Sequence, residues 1–343
     1  MTTTTRDNSP APRAFWPVPA AELIGETALS CPACLHAQNL LVRLPGEPAP
    51  QRDSFDYVLC NACGTLSIAE VPKDLGRYYG ASYYSFTGRT LKGLKHRLKI
   101  ARDSYELFAR NLPGALLARF SGTPWRLRAL RPLFDGSLGK RAGPNSAILD
   151  VGCGAGMLLR ELADLGFTNL SGIDLFVPEE THERRFKILK TDLQSLGGRF
   201  DVVMFHHSFE HMPEPSSVLR ALAEKTAPAG IAVIRIPLGA SFGWFSYGGN
   251  WAQLDPPRHL YLFSAEGFAK LVEREGFVIR HTAFDSTGDF FVWSEMRKRG
   301  LSEQKQDGRV LFSRNELRAF ERKAAALNAQ GRGEQATFFL MRR

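Results

Sequence analysis

From about residue 145 onward, short continuous apolar runs alternate with stretches whose apolar residues recur at three- and four-residue steps. The runs SAILDVG, LSGID, FKILKTD, FDVVMFH and GIAVIRIP read as buried strands. GMLLRELADLGF, PSSVLRALAEKTAP and SAEGFAKLVEREGF read as helices. The first turns Leu158, Leu159, Leu162 and Leu165 inward, and the last is capped by Ser264. VIRHTAFD and the terminal ATFFLMRR supply two final strands. Alternation of this kind predicts a parallel sheet with helices on both faces.

The preceding region has a different texture. FDYVLCNACGTLSIAEVP predicts two short strands around a cysteine pair, within a small β-rich module over residues 26–72. An aromatic cluster runs from Tyr78 to Phe86, and LKGLKHRLKIARDSYELFARNL follows it. There Leu91, Leu94, Leu98, Ala101, Tyr105, Phe108 and Leu112 form one helical stripe, with Lys92, Lys95, Arg97, Lys99 and Arg102 on the other faces. The expected organisation is a disordered lead-in over 1–25, the module over 26–72, a Tyr-rich linker and basic helical region over 73–142, and the alternating domain over 143–343.

Composition narrows the class without choosing a function. The chain of 343 residues is 44% hydrophobic and 23% charged, ordinary for a soluble globular protein. A net charge of +9 allows anionic partners. The first twenty residues lack the apolar run of a secretory signal, and no stretch reaches the roughly 20 apolar residues of a membrane span. IAVIRIPLGASFGWF is interrupted by Arg235 and Pro237. The expected location is the cytoplasm.

Chemistry concentrates at the ends of the predicted strands. The first strand ends in Asp150 and a glycine loop, Gly152-Cys153-Gly154-Ala155-Gly156. The spacing is G-x-G-x-G rather than the dinucleotide G-x-G-x-x-G, and no Lys-Ser/Thr follows to cradle a phosphate. Asp174 ends the second strand about 20 residues on, where an acid can accept from a ribose diol, and Asp192 ends the third. Three acids at successive strand ends, with glycines at the first, describe an adenosine ligand carrying a positive centre: S-adenosylmethionine.

On these residues the chain resembles the class I S-adenosylmethionine-dependent methyltransferases. ILDVGCGAG is similar to their first motif, GID to their second-strand acid, TDL to their adenine contact, and FDVVMFHHSFEHMPEP to their fourth-strand motif. The resemblance covers roughly residues 145–343. It implies an α/β Rossmann-like seven-stranded sheet whose last strand is antiparallel. It further implies that Asp150, Gly152, Gly154 and Gly156 serve the cofactor loop and that Asp174 binds the ribose. Asp192 and Leu193 would meet the adenine, and Phe205 and His206 would line the methionine side. Cys153 is expected to be a buried filler.

HHSFEHM contains His207, Glu210 and His211 in an H-x-x-E-H pattern, but it leaves a strand and meets Pro213 and Pro215, which argues against the helix of a zinc protease. In the methyltransferase setting His207 or His211 is a candidate general base. WAQLDPPRHLYLFS resembles a segment of bacterial glycan and small-molecule methyltransferases, which implies acceptor-side roles for Asp255, Arg258 and His259. HHSF stands where nucleobase enzymes carry Asn/Asp-Pro-Pro-aromatic.

Cys31–Cys34 and Cys60–Cys63 are two C-x2-C pairs. Four thiolates in that spacing suit a structural zinc ion in a ribbon-like module, with iron as the alternative. The resemblance to glycan and small-molecule methyltransferases implies transfer to a hydroxyl of a sugar, glycan precursor or small metabolite. The basic helix is expected to pack its apolar stripe on the catalytic domain with its lysines solvated, with a peripheral membrane contact or an RNA-contacting surface as the alternatives. The other readings are an RNA methyltransferase, whose zinc module and basic helix would grip phosphates, and a zinc-dependent interaction protein with a relic catalytic fold.

Overall fold

The computed structural model describes residues 18–46, 53–78, 93–109, 111–121, 125–139, 142–301 and 307–343. Along the chain come β1 (Glu22–Thr27), β2 (Asn39–Pro45), β3 (Ser54–Leu59) and β4 (Leu66–Ile68), then helices α1 (Gly93–Phe108), α2 (Leu112–Ser121), α3 (Trp125–Ala129) and α4 (Pro132–Asp135). The alternating part holds β5 (Ile148–Val151), α5 (Met157–Asp164), β6 (Leu170–Ile173), β7 (Thr181–His182) and β8 (Phe186–Leu189). It continues through β9 (Phe200–His206), α6 (Pro215–Lys225) and β10 (Thr226–Pro237). The remainder is α7 (Phe242–Tyr247), β11 (Tyr261–Leu262), α8 (Ala265–Arg274), β12 (Phe277–Phe284), α9 (Gly288–Lys298), α10 (Arg314–Ala329) and β13 (Gln335–Arg342). Two discontinuous compact units result. One joins the described residues up to Tyr78 with 237–274 and 286–335; the other joins those of 79–236, 275–285 and 336–343.

The second unit is built on an eight-stranded sheet in the order β12-β13-β10-β9-β5-β6-β8-β7. The pairs β10·β9, β9·β5, β5·β6 and β6·β8 are parallel, and β13 runs antiparallel to β12. The seven expected strands are therefore present. An eighth, β7, is added where Thr181 and His182 fold back onto Ile188 and Lys187. Ile148, Val202, Met204 and Val233 from the sheet meet Leu158, Leu159 and Leu162 of α5 in one core.

Helix α1 also belongs to this unit but buries another face than its leucine stripe suggests. Leu94 and Leu112 are 71% and 86% exposed, while Asp103, Glu106 and Leu107 are buried. Ion pairing is the reason: Lys99 reaches Asp103 at 2.5 Å and Glu161 of α5 at 3.3 Å, and Arg102 reaches Asp103 at 2.8 Å. A carboxylate with two cations beside it can be buried where a lone one cannot. Leu91, Lys92 and the aromatic cluster beyond Tyr78 lie outside the described residues.

The first unit is organised by a second, antiparallel sheet in the order β1-β2-β3-β4-β11. β1 starts at Glu22, inside the expected lead-in, because ELIGET alternates and pairs along β2. Strands β3 and β4 flank the second cysteine pair as expected, and β11 closes on β4 from a distant part of the chain. The same unit contains α9 and α10, whose Val292, Met296, Leu317 and Phe320 form a small core with Phe312, just before α10. Helix α10 opens with a Ser313–Glu316 capping box.

Candidate active site and metal centre

In the second unit the glycine loop leaves β5 under steric constraint. Gly152 has φ +72°, and a Cβ there would stand 2.4 Å from the Cβ of Ser208, whose hydroxyl donates to the Val151 carbonyl at 2.6 Å. Gly156, also at φ +72°, would press a Cβ to 2.6 Å from Ile188, so packing on β8 already demands glycine. Asp150 is buried at the end of β5. The Asp174 carboxylate accepts from Gly154 N–H at 2.9 Å and from Phe176 N–H at 2.8 Å, one on each oxygen. Each carboxylate oxygen retains a second lone pair for a ligand hydroxyl.

Asp192, beyond the end of β8, accepts from Ser195 N–H at 2.7 Å; that bond, then the Ser195 hydroxyl, holds its carboxyl below the ordinary value. Leu193 is buried next to it. Phe205 is entirely buried and meets Phe209 edge-on, while His206 is half-buried opposite Arg235 in β10. Cys153 is half-buried and packs against the core of this unit. Burial, then the charges of Asp150 and Asp174, push its thiol well above the ordinary value, and its sulfur occupies space that a side chain at Gly172 would claim.

His207 follows β9 with φ +53°, a left-handed conformation that a histidine holds only under constraint. Its Nδ1 lies 3.2 Å from the Glu210 carboxylate, and its Nε2 lies 2.5 Å from Arg235 Nη1. Arginine only donates, so Nε2 accepts and Nδ1–H donates to Glu210. Arg235 is wholly buried, and its Nε donates to Asp285 at 2.6 Å. His207 is thus the second link in a four-residue chain, Glu210–His207–Arg235–Asp285. Arg235 and Asp285 were not singled out as site residues from the sequence; the available signal was one arginine inside the apolar run GIAVIRIP. His211 ends a 3-10 turn, Phe209–His211, so the H-x-x-E-H residues lack the helix of a zinc protease.

In the first unit Asp255, at φ +42°, receives the Arg258 fork: Nε donates at 3.0 and 3.1 Å and Nη2 at 2.5 Å. Burial opposes ionisation of Asp255, but the charges of His259 and Arg258 outweigh it and hold the carboxyl below its ordinary value. His259 donates from Nδ1 to the Gln253 carbonyl at 2.7 Å, and its Nε2 lies 3.9 Å from Asp255.

The same unit gathers Cys31, Cys34, Cys60 and Cys63, with all four sulfur atoms within 4.8 Å of one another and three of the residues buried. Cys31 and Cys63 are 3.8 Å apart, Cys34 and Cys60 3.5 Å. A tetrahedral zinc–thiolate centre with bonds near 2.3 Å requires sulfur separations of roughly 3.8 Å. The soft donor set and its spacing fit a zinc-binding module.

Residues 119–282, just under half of the chain, match a methyltransferase-domain family. The ubiquinone biosynthesis O-methyltransferase of Escherichia coli is 33% identical over 124 residues, covering 30% of this chain and 49% of that enzyme. The chain spans about half the length of the curated relatives it matches. Among solved structures, a cyclopropane synthase from Mycobacterium tuberculosis is similar at 16% identity and TM-score 0.42, over 74% of this chain and 99% of that one. An S-adenosylmethionine-dependent methyltransferase from Mesorhizobium loti is similar at 16% identity and TM-score 0.41, over 65% and 99%. No helix among the described residues is long and apolar enough to cross a membrane.

Proposed function

The chain carries a class I S-adenosylmethionine-dependent methyltransferase domain, and from that premise we propose that the protein methylates a hydroxyl of a sugar, glycan precursor or small metabolite. The observation that carries the cofactor assignment is Asp174 at the end of β6. Two backbone N–H groups aim its carboxylate, and it keeps lone pairs for a ribose diol. Gly152 and Gly154 supply backbone that a ligand can approach, Asp150 supplies negative charge near a cationic centre, and Asp192 with Leu193 meets the adenine. Phe205 and His206 contribute to the methionine side, Phe205 from within the core.

Bound S-adenosylmethionine would supply a sulfonium methyl, so the protein's tasks are alignment and removal of the acceptor proton. His259 is the candidate general base of the acceptor-side segment: its Nδ1–H is held by the Gln253 carbonyl, and its Nε2 lies 3.9 Å from Asp255. His207 has both nitrogens engaged and is a positioning residue. Arg258 is tied to Asp255 and holds that carboxylate charged. The O-methyltransferase relative supports oxygen as the methylated atom. Zinc is the ion proposed for the four cysteines.

Calorimetry with S-adenosylmethionine, followed by transfer of labelled methyl to a panel of hydroxylated glycans and small molecules, tests the proposal. Micromolar binding and label in an ether product are expected. A folded protein that takes up no cofactor refutes it. A reversible contact with anionic membranes is a second reading, favoured by exposed Leu94, Leu98, Leu112 and Leu116 near Lys95 and Arg97. Sedimentation with anionic vesicles at low salt tests it, and absence of binding removes it.

A further inference from the structure

The four-cysteine centre and the segment bearing Asp255, Arg258 and His259 are far apart in sequence but belong to one folded unit. The buried Tyr57 hydroxyl, on the strand leading to Cys60, donates to the His259 carbonyl at 2.8 Å. Ile68 N–H donates to the Leu260 carbonyl at 2.8 Å, and β11 pairs residue for residue with β4, Tyr261 to Ser67 and Leu262 to Leu66. Thr65, two residues after Cys63, accepts from Ser264 N–H at 3.2 Å, and the Cys63 sulfur lies 3.3 Å from the same hydroxyl. Arg274, at the end of α8, donates to the carbonyls of Pro32 and Ala33 at 2.9 and 2.8 Å, between the first two cysteines. A Cβ at Gly267 of α8 would come within 3.1 Å of the Cys63 sulfur. Both cysteine knuckles therefore rest on residues 259–274.

We propose that a metal ion at Cys31, Cys34, Cys60 and Cys63 positions the acceptor-side segment, holding residues 259–264 through Tyr57, Ile68 and Thr65, while Arg274 ties the first knuckle to α8. The acceptor role of that segment rests on the function proposed above; the mechanical coupling does not. A short strand pair such as β4·β11 is marginal on its own. The second knuckle fixes the loop of the hairpin that presents β4: Cys60 follows β3, and Cys63 precedes Thr65 and β4. Without the ion, four thiols in van der Waals contact no longer bind the two knuckles together, and Tyr57 and Thr65 lose their fixed frame. Coupling of this kind is reciprocal. If the ion stabilises residues 259–264, contacts made by residues 259–274 stabilise the ion.

Amide hydrogen exchange of the full-length zinc-loaded protein, before and after metal removal with a chelator, reads one direction. Peptides covering 259–264 are expected to exchange at least tenfold faster, while those covering β5 and β6 stay unchanged. Acceleration confined to 31–36 and 60–65, with 259–264 still protected, overturns the proposal. The other direction is read by zinc transfer to 4-(2-pyridylazo)resorcinol. Arg274→Gln, which alters no cysteine, is expected to release zinc several-fold faster, and Tyr57→Phe to do so by a smaller factor. Unchanged release in both variants overturns the proposal. Methyl transfer enters neither readout. Failure of the acceptor assignment would appear separately, as undiminished transfer in His259→Asn.

Discussion

Replacing Asp174 with alanine deletes an acceptor that the fold has already aimed. In the native protein Gly154 N–H and Phe176 N–H occupy one lone pair on each carboxylate oxygen, and two further lone pairs remain for the ribose hydroxyls. Phe176 is half-exposed, so water can take over much of the bonding to the stranded backbone donors. The loss therefore falls mainly on cofactor binding. Hydrogen bonds to a charged group contribute about 1.5–3 kcal/mol, which corresponds to an affinity loss of roughly 10- to 150-fold.

Asp174→Asn is expected to fare little better. An amide offers one accepting oxygen, so its NH2 must confront Gly154 N–H or Phe176 N–H. Calorimetric titration with S-adenosylmethionine and its demethylated product measures both variants, with thermal unfolding as the control for folding. Affinity within twofold of the native protein, at an unchanged melting temperature, would show that Asp174 does not bind the ribose.

Four further perturbations test separate parts of the structure. Gly152→Ala forces a Cβ against Ser208 at positive φ and is expected to cost about 1–3 kcal/mol together with most cofactor affinity, read by urea denaturation and calorimetry. Arg235→Met strands Asp285 without its buried partner; a loss of about 3–5 kcal/mol is expected in the same denaturation assay. Cys60→Ser is expected to lower zinc content well below one ion per chain by elemental analysis and to make residues 31–68 the first to exchange on heating.

Burial raises Glu334 from 4.5 to about 7, against the lowering effects of its Trp251 hydrogen bond and of Lys323. A carboxyl raised in the folded state favours folding in its protonated form, so stability should be greatest below about pH 4.5 with respect to this group. It should fall as pH rises towards 7, by roughly 3 kcal/mol in full. Glu334→Gln should flatten the unfolding free energy between pH 5 and 8, and an unaltered slope would show that Glu334 does not titrate there.

The strand ends of the second unit were legible because their signals are local. Apolar runs mark β5, β6, β8 and β9, and each acid or glycine stands within a few residues of its strand. The histidine network was only half legible. His207 and Glu210 announce themselves as a motif, whereas Asp285 reaches Arg235 across 50 residues, a separation that leaves no periodic trace. The α1 stripe misled for a different reason. Helical periodicity identifies faces but does not say which one is buried when ion pairs let Asp103 and Glu106 turn inward. Helices α9 and α10 went unassigned, although Ser313 and Glu316 stand at capping-box spacing ahead of one of them. Nothing in the cysteine pairs foretells that Tyr57 bonds a carbonyl 202 residues away.

That distance also bears on biosynthesis. On the ribosome, the hairpin of β3 and β4 emerges with an open edge, and the strand that covers it is made nearly two hundred residues later. Through that interval the nascent chain presents an unsatisfied row of amides and carbonyls to its surroundings, a template for wrong pairing. Early capture of an ion would stiffen the hairpin but leave the row bare. Overproduction at low temperature, or with a holdase chaperone, should therefore raise the soluble yield more than added zinc does.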